Sequence, residues 1–110
     1  GGVVSSPSKK KGTSYERAVA NYLNERLPWL IDRMVLYGNQ DRGDISGIPD
    51  WAIECKATRE FKLAKFVAEA EAEAENLGVP FGAAIVKSPG RPVEDSFVVV
   101  SLRQFADMLS

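Results

Sequence analysis

Three side chains in two neighbouring segments have the chemistry needed to bind a divalent metal ion and hydrolyse a phosphodiester. Glu54 and Lys56 lie in the segment 51–58, whose composition predicts a β-strand. Because successive side chains of a strand point to opposite faces, Glu54 and Lys56 share one face and Cys55 lies on the other. Asp44 stands beside a glycine, ten residues before Glu54. Two carboxylates and an ammonium that converge at the edge of a sheet suit a magnesium-dependent phosphodiesterase reaction.

These side chains can meet only if the segments around them pair. Residues 44–45 begin a short strand, residues 47–50 contain a glycine and a proline and predict a turn, and residues 51–58 form the next strand. Such a short turn makes the two strands a hairpin, so Asp44 and Glu54 could reach one ion. Lys56 would orient or deprotonate the attacking water, or stabilise charge on the transferring phosphate.

Glu54 and Lys56 also have an explanation that involves no metal. Both could lie on the exposed polar face of a hairpin as a weak ion pair, and this interpretation is favoured for Glu-x-Lys alone. The second acid, Asp44, and the strand pattern around it favour a metal site over an exposed ion pair.

Glu16 and Asp50 are two further acids that could belong to the site. Glu16 completes a match to a capping box at 13–16, in which its side chain would bind a backbone N–H at the start of a helix. Alternatively, Glu16 faces the metal pocket and holds a metal-bound water. Asp50 shares the strand parity of Glu54 but would lie about 13 Å from it, too far to share an ion, so we assign Asp50 to the turn.

The apolar stripe over residues 63–77, followed by Gly78, predicts a helix, and we expect the acidic segment 69–75 within it to form a solvated face. Glu69 is the exception that stays open, because it lies one helical turn from Phe66 and could face the site. Cys55 is expected to be an inert thiol in the core.

The composition excludes several kinds of catalysis. The chain has 110 residues, enough for one domain, with 45% hydrophobic and 26% charged residues. It contains no histidine and a single cysteine. Histidine-dependent hydrolysis, an internal disulfide and a thiolate zinc site are therefore excluded, and catalysis would need carboxylates, lysine, tyrosine or a hard metal ion.

Charge and hydropathy limit the partners less strongly. The net charge of −1 neither supports nor excludes a nucleic-acid partner, although basic residues cluster at 9–11 and at 59–65. No apolar run reaches the roughly 18 residues of a membrane span, and no signal-peptide pattern begins the chain. We expect a cytoplasmic protein with no membrane partner.

The hydrophobic patterns predict an α/β fold in which helices cover a mixed central sheet, in the order α-β-β-β-α-β-β-α. Residues 1–11 are predicted to be a flexible basic arm, and residues 12–110 a single domain. The first helix should begin near Thr13 and Ser14, and residues 38–43 should form a loop. Ser101 should cap a last helix whose inward residues are Leu102, Phe105, Ala106 and Leu109.

The order and spacing of several short motifs resemble the PD-(D/E)XK nuclease superfamily, especially its Holliday junction resolvase branch and the small phage-type resolvases. The motifs are Lys11-Gly12 with Glu16 in a helix, then Gly43-Asp44-Ile45, then Ile53-Glu54-Cys55-Lys56. The resemblance extends from about Lys11 to the end of the chain. It implies a restriction-endonuclease-like core.

The resemblance also implies a role for individual residues. Asp44 and Glu54 would bind Mg²⁺, for which Mn²⁺ would substitute, with the main-chain carbonyl of Cys55 as a further ligand. Lys56 would be the catalytic lysine, and Glu16 the helix acid that completes the site. Glu69 stands where some relatives carry glutamine. The residues expected to bind DNA are Lys9, Lys10, Lys11, Arg42, Arg59 and Lys62.

The implied function is Mg²⁺-dependent cleavage of four-way DNA junctions by a homodimer, with no small-molecule cofactor, in the cytoplasm of the phage-infected host if the protein is viral. Symmetric cutting requires two sites related by a two-fold axis, and one chain offers one site. The apolar segment 29–31 and the face of the second helix could form the dimer interface, or could belong to the core. Nuclease action on flaps, forks or ends, and an inactive relative that only binds nucleic acid, remain alternatives.

Overall fold

The computed structural model describes the backbone of residues 7–36 and 39–110 and the side chains of residues 14–34 and 44–110. The elements, in chain order, are the helix α1 (Pro7–Arg26), the strands β1 (Asp32–Leu36), β2 (Asn39–Ser46) and β3 (Trp51–Lys56), the helix α2 (Leu63–Leu77), the strand β4 (Phe81–Val86), a 3₁₀ turn (Val93–Asp95), the strand β5 (Phe97–Val99) and the helix α3 (Leu102–Leu109). The predicted α/β class with a mixed sheet is confirmed.

The five strands lie in the sheet in their sequence order, β1-β2-β3-β4-β5. All neighbouring pairs are antiparallel except β3 and β4, which are parallel. A parallel pair needs a crossover connection, and here α2 supplies it. The crossover lays α2 across the parallel strands β3 and β4.

The sheet separates two clusters of buried side chains. One cluster joins α1 to odd-numbered strand positions and contains Tyr15, Val19, Ala20, Ile31, Ile45, Ile53, Cys55, Ala83 and Ile85. The other joins α2 to even-numbered positions and contains Phe66, Ala84 and Val86, with Val99 packed against them. This division follows from the alternation of side chains along a strand. We call the two sides the α1 face and the α2 face of the sheet.

Helix α2 packs unusually close to β4. A Cβ atom at Gly82 would collide with the main-chain carbonyl oxygen of Ala70, so only glycine allows this approach. Ala70 itself is fully buried. The helix ends at Gly78, whose φ of 70° is left-handed and whose N–H binds the carbonyls of Ala74 and Glu75. The predicted bounds of α2 and its terminal glycine are confirmed.

Two sequence predictions for the first half of the chain are wrong. Helix α1 begins at Pro7 rather than near Thr13, because the lysines at 9–11 are good helix formers and continue it. The predicted loop at 38–43 is occupied from Asn39 onwards by β2, which pairs with β1 despite its polar sequence. Residues 1–6 of the predicted arm, and residues 37–38, lie outside the described residues.

The predicted inward face of α3 is also wrong. Leu102, Phe105 and Leu109 are 82%, 47% and 72% exposed, and Ala106 is exposed as well. The buried residue is Gln104, whose Oε1 accepts a hydrogen bond of 2.9 Å from the Gly82 N–H. Strand β5 covers β4 only from Ala84 to Val86, so this side chain satisfies a backbone donor beyond the end of the pairing.

The predicted cap of α3 is confirmed, because the Ser101 hydroxyl accepts a hydrogen bond of 3.1 Å from the Gln104 N–H. Within the residues that the structure describes, no helix is both long enough and apolar enough to cross a membrane.

Replacing Gln104 by alanine should lower the free energy of unfolding by about 1–3 kcal/mol, because the buried Gly82 N–H loses its acceptor. Urea denaturation measures this change. Arg103→Ala is the matched control, since Arg103 is exposed on the same helix and should cost little. Equal losses for the two variants would contradict this role of Gln104.

Candidate metal centre

The predicted hairpin brings Asp44 and Glu54 directly opposite each other. They are register partners in the antiparallel pair β2–β3, with Ala84 beside Glu54 on β4. Opposed residues of neighbouring strands point to the same face, with their Cβ atoms about 5 Å apart. Both side chains therefore project from the α2 face, and the predicted pairing of these two acids is confirmed.

A third carboxylate comes from helix α2. Ligand oxygens of Asp44, Glu54 and Glu73 all lie within 4.8 Å of one another. The three residues are 1%, 6% and 5% exposed, respectively. We call them the three-carboxylate cluster. The expectation that all glutamates of segment 69–75 are solvated is wrong for Glu73.

Glu73 was recognisable from its position in the helix. It lies three residues after Ala70 and seven after Phe66, both of which are buried and lie on the stripe that faces the sheet. The charge of Glu73 and the alternation of alanine and glutamate around it favour a solvated face instead. A carboxylate within an otherwise apolar, buried stripe is the signal that identifies it.

The chemistry of the cluster fits a hard divalent cation. Two ionised carboxylates at this separation repel each other by about 3 kcal/mol at an effective dielectric constant of about 20, and burial adds the cost of desolvation. A Mg²⁺-type ion offsets both and prefers oxygen ligands of this kind. The cluster therefore has the donor set, the burial and the charge that such an ion requires.

Lys56 lies beside this cluster, between two glutamates. Its Nζ is 2.6 Å from Glu69 Oε2 and 3.6 Å from Glu54 Oε2. It also lies 5.4 Å from the centre of the Phe66 ring, which adds a cation–π contact. The predicted shared face of Glu54 and Lys56 is confirmed. Glu69, whose orientation the sequence left open, faces the site through its bond to Lys56.

Cys55 lies on the opposite face, within the core beneath α1. Burial raises the pKa of its thiol, and the negative charges of Glu16, Asp44 and Glu54 raise the pKa further. The thiol therefore stays protonated, as expected of an inert core cysteine. The role of its main-chain carbonyl as a metal ligand stays a prediction.

The structure does not bring Glu16 into the three-carboxylate cluster. Glu16 Oε2 accepts a hydrogen bond of 2.9 Å from Arg33 Nε, and the pair is largely buried. Arg33 is the register partner of Ile45, so it lies on the α1 face, across the sheet from Asp44 and Glu54. The capping-box interpretation is also wrong, because residues 13–16 lie inside α1 rather than at its start.

The remaining predicted residues are distributed around the site. Asp50 lies in the exposed turn before β3, with a left-handed φ of 71° that aspartate tolerates, so its assignment to the turn is confirmed. Arg59 and Lys62 are exposed in the segment that follows β3, at the end of the strand that carries Lys56. The side chains of Lys9, Lys10, Lys11 and Arg42 lie outside the described residues.

No protein-family model matches the chain, and neither a curated protein nor a solved structure matches it significantly. The nuclease superfamily and its restriction-endonuclease-like core therefore stay predictions from sequence motifs.

Replacing Glu73 by glutamine should weaken Mg²⁺ binding by roughly tenfold or more. Mutation of a group that only orients a metal ligand typically lowers metal affinity by about tenfold or more, and loss of a ligand should lower it at least as much. Isothermal titration calorimetry measures the affinity, and the rise in melting temperature with Mg²⁺ gives a second readout.

Two control variants separate this effect from a general loss of charge or stability. Glu75→Gln removes an exposed acid from the same helix, and Glu16→Gln removes the acid across the sheet. Both should bind Mg²⁺ like the wild type. Equal affinity of Glu73→Gln and Glu75→Gln would show that Glu73 is not a ligand.

Proposed function

We propose that this chain is a metal-dependent, structure-specific DNA endonuclease of the PD-(D/E)XK type that resolves four-way junctions as a homodimer. One observation supports this proposal above the others. The two motif carboxylates, Asp44 and Glu54, lie opposite each other on one face of the sheet, and the Lys56 ammonium lies 3.6 Å from Glu54 on the same face. Three of the motif residues thus share one face of the sheet, which supports a role in phosphodiester hydrolysis, whereas Glu16 lies across the sheet.

Asp44, Glu54 and Glu73 would hold Mg²⁺ or Mn²⁺, with the Cys55 main-chain carbonyl as a further ligand. Such an ion supplies Lewis-acid stabilisation of the charge that develops on the phosphate. The carboxylates would fix the position of the scissile phosphate relative to Lys56. Because β3 carries both Glu54 and Lys56, the strand itself sets the distance between the metal ligand and the ammonium.

Lys56 would donate hydrogen bonds to a phosphate oxygen or to the attacking water. Its ammonium is held by carboxylates, which favours its role as a cation that stabilises negative charge. Lys56 is one-fifth exposed, so a substrate phosphate can approach it from solvent. The site thus combines three buried carboxylates with a cationic group that is partly exposed to solvent.

DNA would reach the site along the basic residues that follow β3. Arg59 and Lys62 are exposed there and would contact phosphates, which attract cationic side chains regardless of sequence. Lys9, Lys10, Lys11 and Arg42 would extend this contact. The net charge of −1 makes local placement of these residues more important than the overall charge.

Resolution of a junction requires two sites, and the exposed side chains favour one surface for the dimer. The apolar residues Phe97, Val98, Leu102, Phe105, Met108 and Leu109 are exposed on β5 and α3. Exposed apolar residues on a strand and on the helix that directly follows it are candidates for an interface. The alternative segment 29–31 offers less exposed apolar surface, because Ile31 is buried in the core. The second helix, α2, also offers less, because its apolar face packs against the sheet. We assign the dimer contact to the apolar surface of β5 and α3.

Cleavage of a synthetic four-way junction with Mg²⁺ tests the proposed activity. Glu54→Ala and Lys56→Ala should each lower the rate by about 100-fold or more, because each removes a group that stabilises the transition state. Glu75→Ala should cut like the wild type, since Glu75 is exposed and belongs to none of the groups assigned to the site. Wild-type protein that cuts no better than the Glu54 and Lys56 variants would refute the assignment.

The same assay with duplexes, flaps, forks and single-stranded ends measures substrate preference. A resolvase should cut the junction at least about tenfold faster than the duplex, which corresponds to about 1.4 kcal/mol of transition-state discrimination. Faster cutting of a flap or an end would keep the nuclease chemistry and replace the proposed substrate.

Replacing Leu102 and Leu109 together by aspartate should convert a dimer to a monomer, because both side chains are more than two-thirds exposed and the change places charge in the interface. Sedimentation equilibrium measures the oligomeric state. The control is Leu30→Asp, at a leucine that is 94% exposed in the alternative segment. A monomer from Leu30→Asp, with the double variant still dimeric, would move the interface to segment 29–31.

A further inference from the structure

The ammonium of Lys56 is bound more closely by Glu69 than by the metal-site carboxylate. Its Nζ lies 2.6 Å from Glu69 Oε2, against 3.6 Å from Glu54 Oε2. An ammonium carries three N–H donors; its hydrogen bond to Glu69 engages one of them, and the 3.6 Å contact with Glu54 Oε2 is too long for another. At least one donor is left for a phosphate oxygen or a water.

We propose that Glu69 is the positioning residue for Lys56, which it holds beside Glu54 so that a remaining N–H donor points at the scissile phosphate. This inference rests on the proposed nuclease function and gives Glu69 a role that the sequence motifs leave open. Glu69 acts through Lys56 and does not touch the substrate or the metal.

The spacing of α2 and β3 explains why one helix can serve both the lysine and the metal cluster. Glu69 and Glu73 are four residues apart on α2, a rise of about 6 Å. Lys56 and Glu54 are two residues apart on β3, a rise of about 6.6 Å. Because α2 runs against the direction of β3, Glu69 lies over Lys56 while Glu73 lies over Glu54.

The surroundings of Glu69 suit a positioning role. Its neighbours Phe66 and Ala70 are buried against the sheet, so the backbone beneath it is held in place. The Glu69 side chain is 38% exposed, and its second oxygen lies 4.0 Å from the exposed Lys65 ammonium. Glu69 therefore stands at the opening of the site, outside the buried three-carboxylate cluster.

Glu54 cannot hold Lys56 alone during catalysis. As a metal ligand, Glu54 would have its carboxylate engaged by the ion, and the 3.6 Å from its Oε2 to Lys56 Nζ already exceeds a hydrogen bond. Glu69 is not part of the three-carboxylate cluster, so its carboxylate would stay on Lys56 when a metal ion binds. The ordering of the ammonium then depends on Glu69.

The consequence for catalysis is a loss of turnover with little change in binding. Glu69→Ala should lower kcat by about tenfold or more, because it removes a charge-assisted hydrogen bond from the catalytic lysine. Glu69→Gln keeps an acceptor without the charge and should fall between alanine and the wild type. KM for the junction and the affinity for Mg²⁺ should stay within about twofold of the wild type.

The experiment compares Glu69→Ala, Glu69→Gln and the matched control Glu75→Gln in junction cleavage, with Mg²⁺ titration by calorimetry for each. NMR spectroscopy of the lysine ammonium groups supplies a readout that needs no activity. The Lys56 ammonium should be ordered and slow to exchange in the wild type, and as mobile as that of exposed Lys62 in Glu69→Ala. The control should resemble the wild type in every measurement.

The outcomes distinguish the two proposals. If the wild type does not cut, the nuclease function fails, and the NMR comparison alone decides whether Glu69 orders Lys56. If the wild type cuts and Glu69→Ala keeps full kcat, or cuts faster, Glu69 does not position the lysine. A Lys56 ammonium signal that is unchanged in Glu69→Ala would overturn the inference in either case.

Discussion

The close contact between α2 and the two parallel strands is the constraint on which the rest of the site depends. Gly82 has no side chain, so the Ala70 carbonyl can approach β4, and the helix lies near enough for its glutamates to reach β3. This approach buries Glu73 beside Asp44 and Glu54 and places Glu69 against Lys56. A larger residue at Gly82 would lift the helix and separate all of these groups at once.

The sheet also keeps two different environments apart. On the α1 face, apolar residues pack around Cys55, and the largely buried Glu16–Arg33 ion pair lies on the same face. On the α2 face, three carboxylates and an ammonium share a small volume with Phe66. Strand β3 takes part in both, because each successive residue from Ile53 to Lys56 changes face. An apolar core and a charged site can therefore be only one residue apart.

Much of this arrangement follows from local sequence patterns, and the parts that do not follow involve distant contacts. The short turn at 47–50 and strand alternation predict that Asp44 meets Glu54, and helical periodicity predicts the bounds of α2. Burial of Gln104 depends on a partner far along the chain, the Gly82 N–H, which no local pattern contains. The apolar stripe of α2 marks Glu73 as buried, but its neighbours Asp44 and Glu54 come from distant strands. For the same reason, helical periodicity predicts that the apolar residues of α3 face the core, whereas the structure leaves them exposed.

The opposed directions of α2 and β3 restrict how the length of this chain can vary during evolution. One residue inserted between Glu69 and Glu73 would rotate one acid by about 100° around the helix and break one of the two pairings. One residue inserted between Glu54 and Lys56 would move one of them to the α1 face. Insertions in the exposed turn at 88–91 disturb neither pairing. Lineages of this protein should therefore differ in length at that turn, while these two short spacings stay constant.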